Sequence, residues 1–214
     1  MAHTPTIECK PNGPYLVKHL ETLHNAQGEA LAVQPIMALC RCGGSANKPF
    51  CDSSHKHNGF SDAQATRSHT DRRDNYPGLG ITIHDNRAIC AHSGRCTEGL
   101  AAVFRYGQKP WIDPDGAEVA AIIDTVRQCP SGALSFSLRQ VEFQAQMREP
   151  AISVTQDGPY AVVGSVELLG QSWAQGASPE HYTLCRCGAS KNKPFCDGAH
   201  QDLPFRDAVA PLPD

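Results

Sequence analysis

The sequence predicts a small-module, β-rich α+β protein in which two copies of one module flank a third, different one. Three observations predict it. The sixteen residues from Cys40 to His55, CRCGGSANKPFCDSSH, recur from Cys185 to His200 as CRCGASKNKPFCDGAH, with twelve positions identical. The likeness reaches outside this stretch: Ile7 matches Ile152, Gly13-Pro14-Tyr15 matches Gly158-Pro159-Tyr160, Val17 matches Val162 and Phe60 matches Phe205, all at one offset of 145 residues. The segment between the copies shares neither pattern and carries a helical apolar stripe.

Each copy reads as short strands. Apolar alternation predicts strands at Ile7–Cys9, Tyr15–Leu20 and Ile36–Leu39, and in the second copy at Ile152–Val154, Tyr160–Val166 and His181–Leu184. A Gly-Pro turn joins the first two strands, and the third runs into the cysteine loop. The stretch from 170 to 180 is rich in Gly, Ser, Gln and Ala and reads as loop. Ser61 to Asn75 is polar, without apolar periodicity, and reads as a linker.

The middle module opens on a strand carrying Ile81 and Ile83, continuing through Ala88 and Ile89 after an Asp85-Asn86 turn. A short helix from about Gly99 to Phe104 follows, then a turn at Asp113–Gly116. Val119, Ile122, Ile123 and Val126 lie at i, i+3, i+4 and i+7, the stripe of a helix over Glu118–Gln128 with Asp115 as its cap. Cys129-Pro130 ends it, and Ala133–Leu138 reads as a closing strand. The expected modules are therefore 1–66, 67–145 and 146–214.

Composition narrows the function. A net charge of −3 and a dispersed set of basic residues argue against a nucleic-acid surface. The opening MAHTPTIECKPNG lacks a signal pattern, and no apolar run reaches membrane-spanning length. Ten cysteines without an export signal point to a reducing, cytoplasmic setting, where they act as metal ligands rather than disulfides. A modest apolar content of 40% favours small modules stapled by metal over one large core.

In each repeat a Cys-x-Cys pair precedes a third Cys and a His four residues later. Cys51 and His55 come to one side through a helical turn after Pro49, with Asp52 or Ser53 near its N-cap. The start of that turn aims backbone N–H groups at whatever anion lies in front of it. Two iron atoms bridged by sulfide, one held by Cys40 and Cys42 and the other by Cys51 and His55, satisfy this donor inventory. Cys185, Cys187, Cys196 and His200 do the same in the second copy. A tetrahedral zinc ion also accepts three Cys and one His, although zinc knuckles favour C-x2-C.

These residues resemble the CDGSH-type iron–sulfur (NEET) family, whose pattern is C-x-C-x2-[ST]-x3-P-x-C-D-G-[SAT]-H. The second copy matches throughout, with Ser190, Pro194, Asp197 and Gly198 in place. The first departs at Ser53, where the family has Gly, which puts its local backbone in question. The resemblance implies a [2Fe–2S] cluster in each copy, serving electron transfer or delivery to an acceptor. It also implies paired motifs, hence an internal pseudo-dimer within a monomeric chain. The imidazole removes one negative charge from the ligand set and raises the reduction potential. His55 and His200 are expected to couple electron uptake to a proton and to be the release points.

Between the copies, Cys90, Cys96 and Cys129 form a C-x5-C pattern with a late Cys-Pro. This resembles divergent single-cluster ferredoxin domains. Three thiolates fit a [3Fe–4S] cluster; a [4Fe–4S] cluster fits if Ser93, His92 or water serves the fourth iron. Cys9 aligns with Val154 and reads as core, and Trp111 as packing. Lys48 and Lys193 could hydrogen-bond near the clusters, and Arg41 and Arg186 could offset cluster charge. There is no G-x-G-x-x-G motif and no acid–base or nucleophile constellation. The expectation is a non-enzymatic iron–sulfur carrier, serving a redox partner protein or cluster acceptor and touching neither nucleic acid nor membrane. A zinc-stabilised, non-redox interaction protein is the competing reading.

Overall fold

The described residues form twelve short strands: β1 (Thr6–Cys9), β2 (Tyr15–Lys18), β3 (Leu23–His24), β4 (Ile36–Leu39), β5 (Asp74–Pro77), β6 (Thr82–Asp85), β7 (Leu134–Leu138), β8 (Val141–Phe143), β9 (Ala151–Val154), β10 (Tyr160–Val163), β11 (Glu167–Leu169) and β12 (His181–Leu184). Two α-helices, α1 (Arg95–Gly99) and α2 (Val119–Arg127), belong to the middle module. The computed structural model describes residues 3–63 and 69–207, so the module boundary expected at 66/67 lies outside the described residues. Among the described residues no helix is long and apolar enough to cross a membrane.

The strands form three sheets of four. In the first, β1, β2 and β4 are antiparallel, with Ile7 opposite Val17 and Tyr15 opposite Leu39. In the second, β9, β10 and β12 repeat that register, with Ile152 opposite Val162 and Tyr160 opposite Leu184. Each sheet gains its fourth strand from the other repeat. β11 runs parallel to β1, and β3 runs parallel to β9. The inward side chains of both repeats merge into one core that includes Ile7, Val17, Leu39, Ile152, Val162 and Leu184, with Cys9 packed against it. Alternation places one apolar residue in two on that face, and two shallow faces together exclude water as neither could alone.

The two borrowed strands were not expected. At two and three residues, β3 and β11 are too short to show periodicity, and they exist because a partner edge accepts their hydrogen bonds. The strand expected over Tyr160–Val166 stops at Val163, where Gly164 (φ 78°) and Ser165 (φ 58°) turn left-handed.

The middle sheet runs β5-β6-β7-β8, all antiparallel. Its core joins Ile81, Ile83 and Phe136 to Ile122 and Val126 of α2, the expected stripe. Trp111 packs on this core beside Phe104, as expected. Other expectations need correction. β5 begins at Asp74, inside the polar segment taken for linker. Ala88 and Ile89 lie in a 3-10 turn instead of a strand, because the Asn86 side chain caps it by accepting from Ala88 N. The first helix spans Arg95–Gly99, earlier than Gly99–Phe104. Asp115 does not cap α2; its Oδ1 accepts from Leu79 N at 2.8 Å and pins a loop instead.

Candidate metal centres

β4 delivers Cys40 and Cys42, and the loop after them turns back so that Cys40 N donates to Pro49 O and Cys51 N to Ala38 O. The donors then arrive in pairs. Cys40 and Cys42 have sulfurs 3.9 Å apart, and Cys51 Sγ lies 3.4 Å from His55 Nδ1. In the second repeat the corresponding separations are 3.8 Å and 3.5 Å. All ten cysteines are free thiols. Among the described residues no three such donors close on a single ion position.

The helical turn carrying each His is shorter than expected, a single 3-10 turn at Ser54–Lys56 and at Ala199–Asp202. Asp52, not Ser53, supplies its side-chain acceptor. Asp52 Oδ1 accepts from Ser54 N and Oγ, and its Oδ2 accepts from Ala46 N, tying both arms of the loop together. Those bonds, Ser54's first, hold its carboxyl well below the usual range. Asp197 repeats the arrangement with Ala199 N and Lys191 N.

Backbone N–H groups point at the sulfurs. Gly44 N donates to Cys42 Sγ and Ser53 N to Cys51 Sγ, each at 3.4 Å. Such donors favour thiolate, yet burial opposes it. Burial pushes the Cys40 thiol to about 11 and drives Cys196 well above its ordinary range. Cys187 goes the other way, to about 7, because Cys185 hydrogen-bonds its sulfur. Buried thiols placed in contact, met by N–H donors but without enough compensating charge, are the donor set a cationic metal completes.

Arg41 and Arg186 are each held by a carboxylate and two aromatic rings. Arg41 pairs with Asp62 at 2.9 Å and lies over the Tyr15 and Phe60 rings. Arg186 pairs with Asp207 at 2.6 Å and lies over Tyr160 and Phe205. Their charge is spent on carboxylates and rings, which accounts for the matched Phe60 and Phe205. Lys48 and Lys193 donate to the carbonyls of Ser45 and Ser190, bracing the loops.

Sequence reasoning missed the tyrosines. Tyr15 Oη of the first repeat donates to Cys185 O and Pro194 O, at 2.8 and 3.0 Å. Tyr160 Oη of the second donates to Cys40 O and Pro49 O, both at 2.9 Å. The shared Gly-Pro-Tyr was the available signal. The two ligand loops also meet directly: Cys42 and Cys187 form an antiparallel bridge, and a Cβ on Gly43 or Gly188 would lie 2.6 Å from the opposite cysteine's carbonyl oxygen.

In the middle module, Cys90 follows the 3-10 turn, Cys96 sits on α1 and Cys129 follows α2. All three line one cavity of about 190 Å³, with His92 and Ser93 also in its wall. Burial raises the Cys90 thiol to about 12, and His92 N donates to its sulfur at 3.4 Å.

Comparison with known proteins finds two family models along the chain. The family model described as "Iron-binding zinc finger CDGSH type" matches twice, at residues 12–56 and 157–201. The model described as "Divergent 4Fe-4S mono-cluster" matches residues 76–139. The chain belongs to the CDGSH iron–sulfur family. Its two CDGSH modules flank a divergent mono-cluster domain, and it is an iron–sulfur protein. It is also 44% identical over 61 residues to the "Uncharacterized protein YjdI" of Escherichia coli K12, covering 28% of this chain and 80% of that one. The protein of that name from E. coli O157:H7 gives the same figures. No solved structure matches.

The Ser53 departure from the CDGSH pattern is explained locally. Ser53 adopts φ 73°, ψ 7°, close to the φ 87°, ψ −5° of Gly198, so the first loop keeps its shape. A serine there carries a left-handed cost of about 1–2 kcal/mol.

Proposed function

We propose that this chain is a three-centre electron carrier, with its two CDGSH modules arranged as an internal pseudo-dimer. One [2Fe–2S] cluster belongs to Cys40, Cys42, Cys51 and His55, and the other to Cys185, Cys187, Cys196 and His200. The observation that carries this reading is the pairing of donors at 3.4–3.9 Å in both repeats. Two sulfide-bridged irons need two protein donors each, which these pairs supply. When bound, such a cluster supplies a site that takes up and returns one electron.

The chain's own residues do the rest. The N–H groups of Gly44 and Ser53 point at the sulfurs of Cys42 and Cys51, where they would offset the negative charge of cluster-bound thiolates. His55 and His200 turn Nδ1 toward their cysteines, leaving Nε2 to hold a proton. The pseudo-dimer is supported by the exchanged strands β3 and β11 and by the reciprocal tyrosines. Cys90, Cys96 and Cys129 suit a [3Fe–4S] cluster with one thiolate per iron. The 4Fe–4S description of the matching family supports [4Fe–4S] instead, with Ser93 or His92 beside the fourth iron. The setting is a reducing cytoplasm, and the partner is a one-electron redox protein.

Iron and sulfide analysis with low-temperature electron paramagnetic resonance on anaerobic protein tests this. The result expected is a red-brown protein with about seven irons per chain, or about eight with a [4Fe–4S] centre. A colourless protein holding zinc alone overturns the proposal.

A further inference from the structure

The repeats are alike in their donors and unlike in what covers them. In the first, Asn47, Asp52 and Ser53 are exposed and Cys51 is half-buried. In the second, Asn192, Gly198 and Cys196 are buried. The middle module makes the difference. Asn192 Nδ2 donates to Ala88 O at 2.8 Å, and Gln201 Nε2 donates to His92 O at 2.6 Å. The His92 ring lies so close to Gly198 that a Cβ there would fall 2.9 Å from its Cδ2. Gly198 is thus fixed twice, by its left-handed φ and by His92; Ser53 faces only the first demand.

This docking brings ligands of two centres together. Ala88 and His92 bracket Cys90, while Asn192 and Gly198 bracket Cys196. From the second repeat the route continues to the first through the Cys187–Cys42 bridge. At its far end the surface around His55 carries exposed Ser53, Lys56, His57 and Asn58. His200 instead lines the cleft of about 960 Å³ shared with the middle module.

We infer that the three centres are ordered: the middle site couples directly to the Cys196–His200 site, and the Cys51–His55 site is the outward port where a one-electron redox protein docks. At the port the outside protein loses one electron as the first site gains it; each inward step oxidises one site and reduces the next. His92 and Asn192 are positioning residues for the inner coupling. This inference rests on the proposed function.

The test labels each centre spectroscopically. His55→Cys and His200→Cys each alter the paramagnetic signal of one CDGSH site. In partly reduced protein, magnetic broadening from the middle centre is expected in the signal moved by His200→Cys and not in that moved by His55→Cys. A soluble lanthanide chelate should speed relaxation more at the His55 centre. Equal broadening at both sites, broadening at the His55 site alone, or equal chelate effects overturns the order. Gly198→Ser should weaken the broadening. If Gly198→Ser loses its cluster, the labelled comparison still decides. Iron and sulfide content separates the two ideas: protein without clusters refutes the proposed function, while full clusters with symmetric coupling refute only the ordering.

Discussion

Tyr160 of the second repeat donates its phenolic hydrogen to the carbonyl of Cys40 in the first, 2.9 Å away, from a fully buried position. The ligand loop of one site is therefore held by a residue of the other. Tyr160→Phe removes the donor from two carbonyls, of Cys40 and Pro49, at a cost of about 1–3 kcal/mol. The expected outcome is faster bleaching of the first site, with the second, which contains the mutation, little changed. Site-resolved paramagnetic resonance during the decay checks this. Tyr15→Phe should give the mirror result.

His55→Cys replaces a neutral ligand with a thiolate. Its centre should resist mild acid for longer and titrate at a more negative potential, since added negative charge stabilises the oxidised form. Redox titration and absorbance decay at pH 5.5 read both effects. Unchanged acid lability would show that the imidazole is not the release point.

Asp85 is 1% exposed, and neither carboxylate oxygen has a hydrogen-bond partner among the described residues. Burial raises its pKa from 3.8 to about 7, with Arg87 and the Trp111 side chain pulling it back only in part. The folded state therefore binds a proton that the unfolded chain releases, so stability falls as pH rises from 3.8 to about 7 and then levels. Asp85→Asn should gain on the wild type across that window, by up to about 4 kcal/mol above pH 7. Unfolding midpoints of both proteins between pH 5 and 8 would show the gap widening.

Glu180 behaves in the opposite sense. Burial alone would raise its pKa, but Arg148, Gln146 N–H and His181 overcome it and hold it at about 2. Burial keeps the neighbouring His181 below its ordinary value. Stability from Glu180 is full above its unfolded value of 4.5 and lost as pH falls toward 2; protonation of His181 begins to cost below 6.5. Glu180→Gln should destabilise by about 2 kcal/mol at pH 7 after solvent screening, and by clearly less at about pH 3. Thermal midpoints at the two pH values measure the difference.

The pairing of Cys40 with Cys42 and of Cys51 with His55, and its repeat in the second copy, was legible because soft donors repeated at fixed spacing have few other uses. The α2 stripe and the strands leading to each loop were legible from period alone. What escaped depends on partners distant in sequence. β3 and β11 become strands only against an edge from the other repeat. Tyr160 serves Cys40, 120 residues away. Asp115 matches a cap in sequence, but Leu79 N claims it in space. Ser53 put the local backbone in question, yet that loop keeps its shape; the difference lies in the neighbour, since His92 packs on Gly198 and Ser53 faces water.

The pairing of β1 with β11 bears on how the protein is made. A sheet begun at Thr6 is not finished until Leu169 has left the ribosome. At synthesis rates of about 5–20 residues per second, its opening hairpin waits on the order of ten seconds for its outer neighbour. The Tyr160 hydroxyl that steadies the Cys40 loop also arrives late. Iron delivered before Leu169 emerges would meet an unfinished pocket at the first repeat.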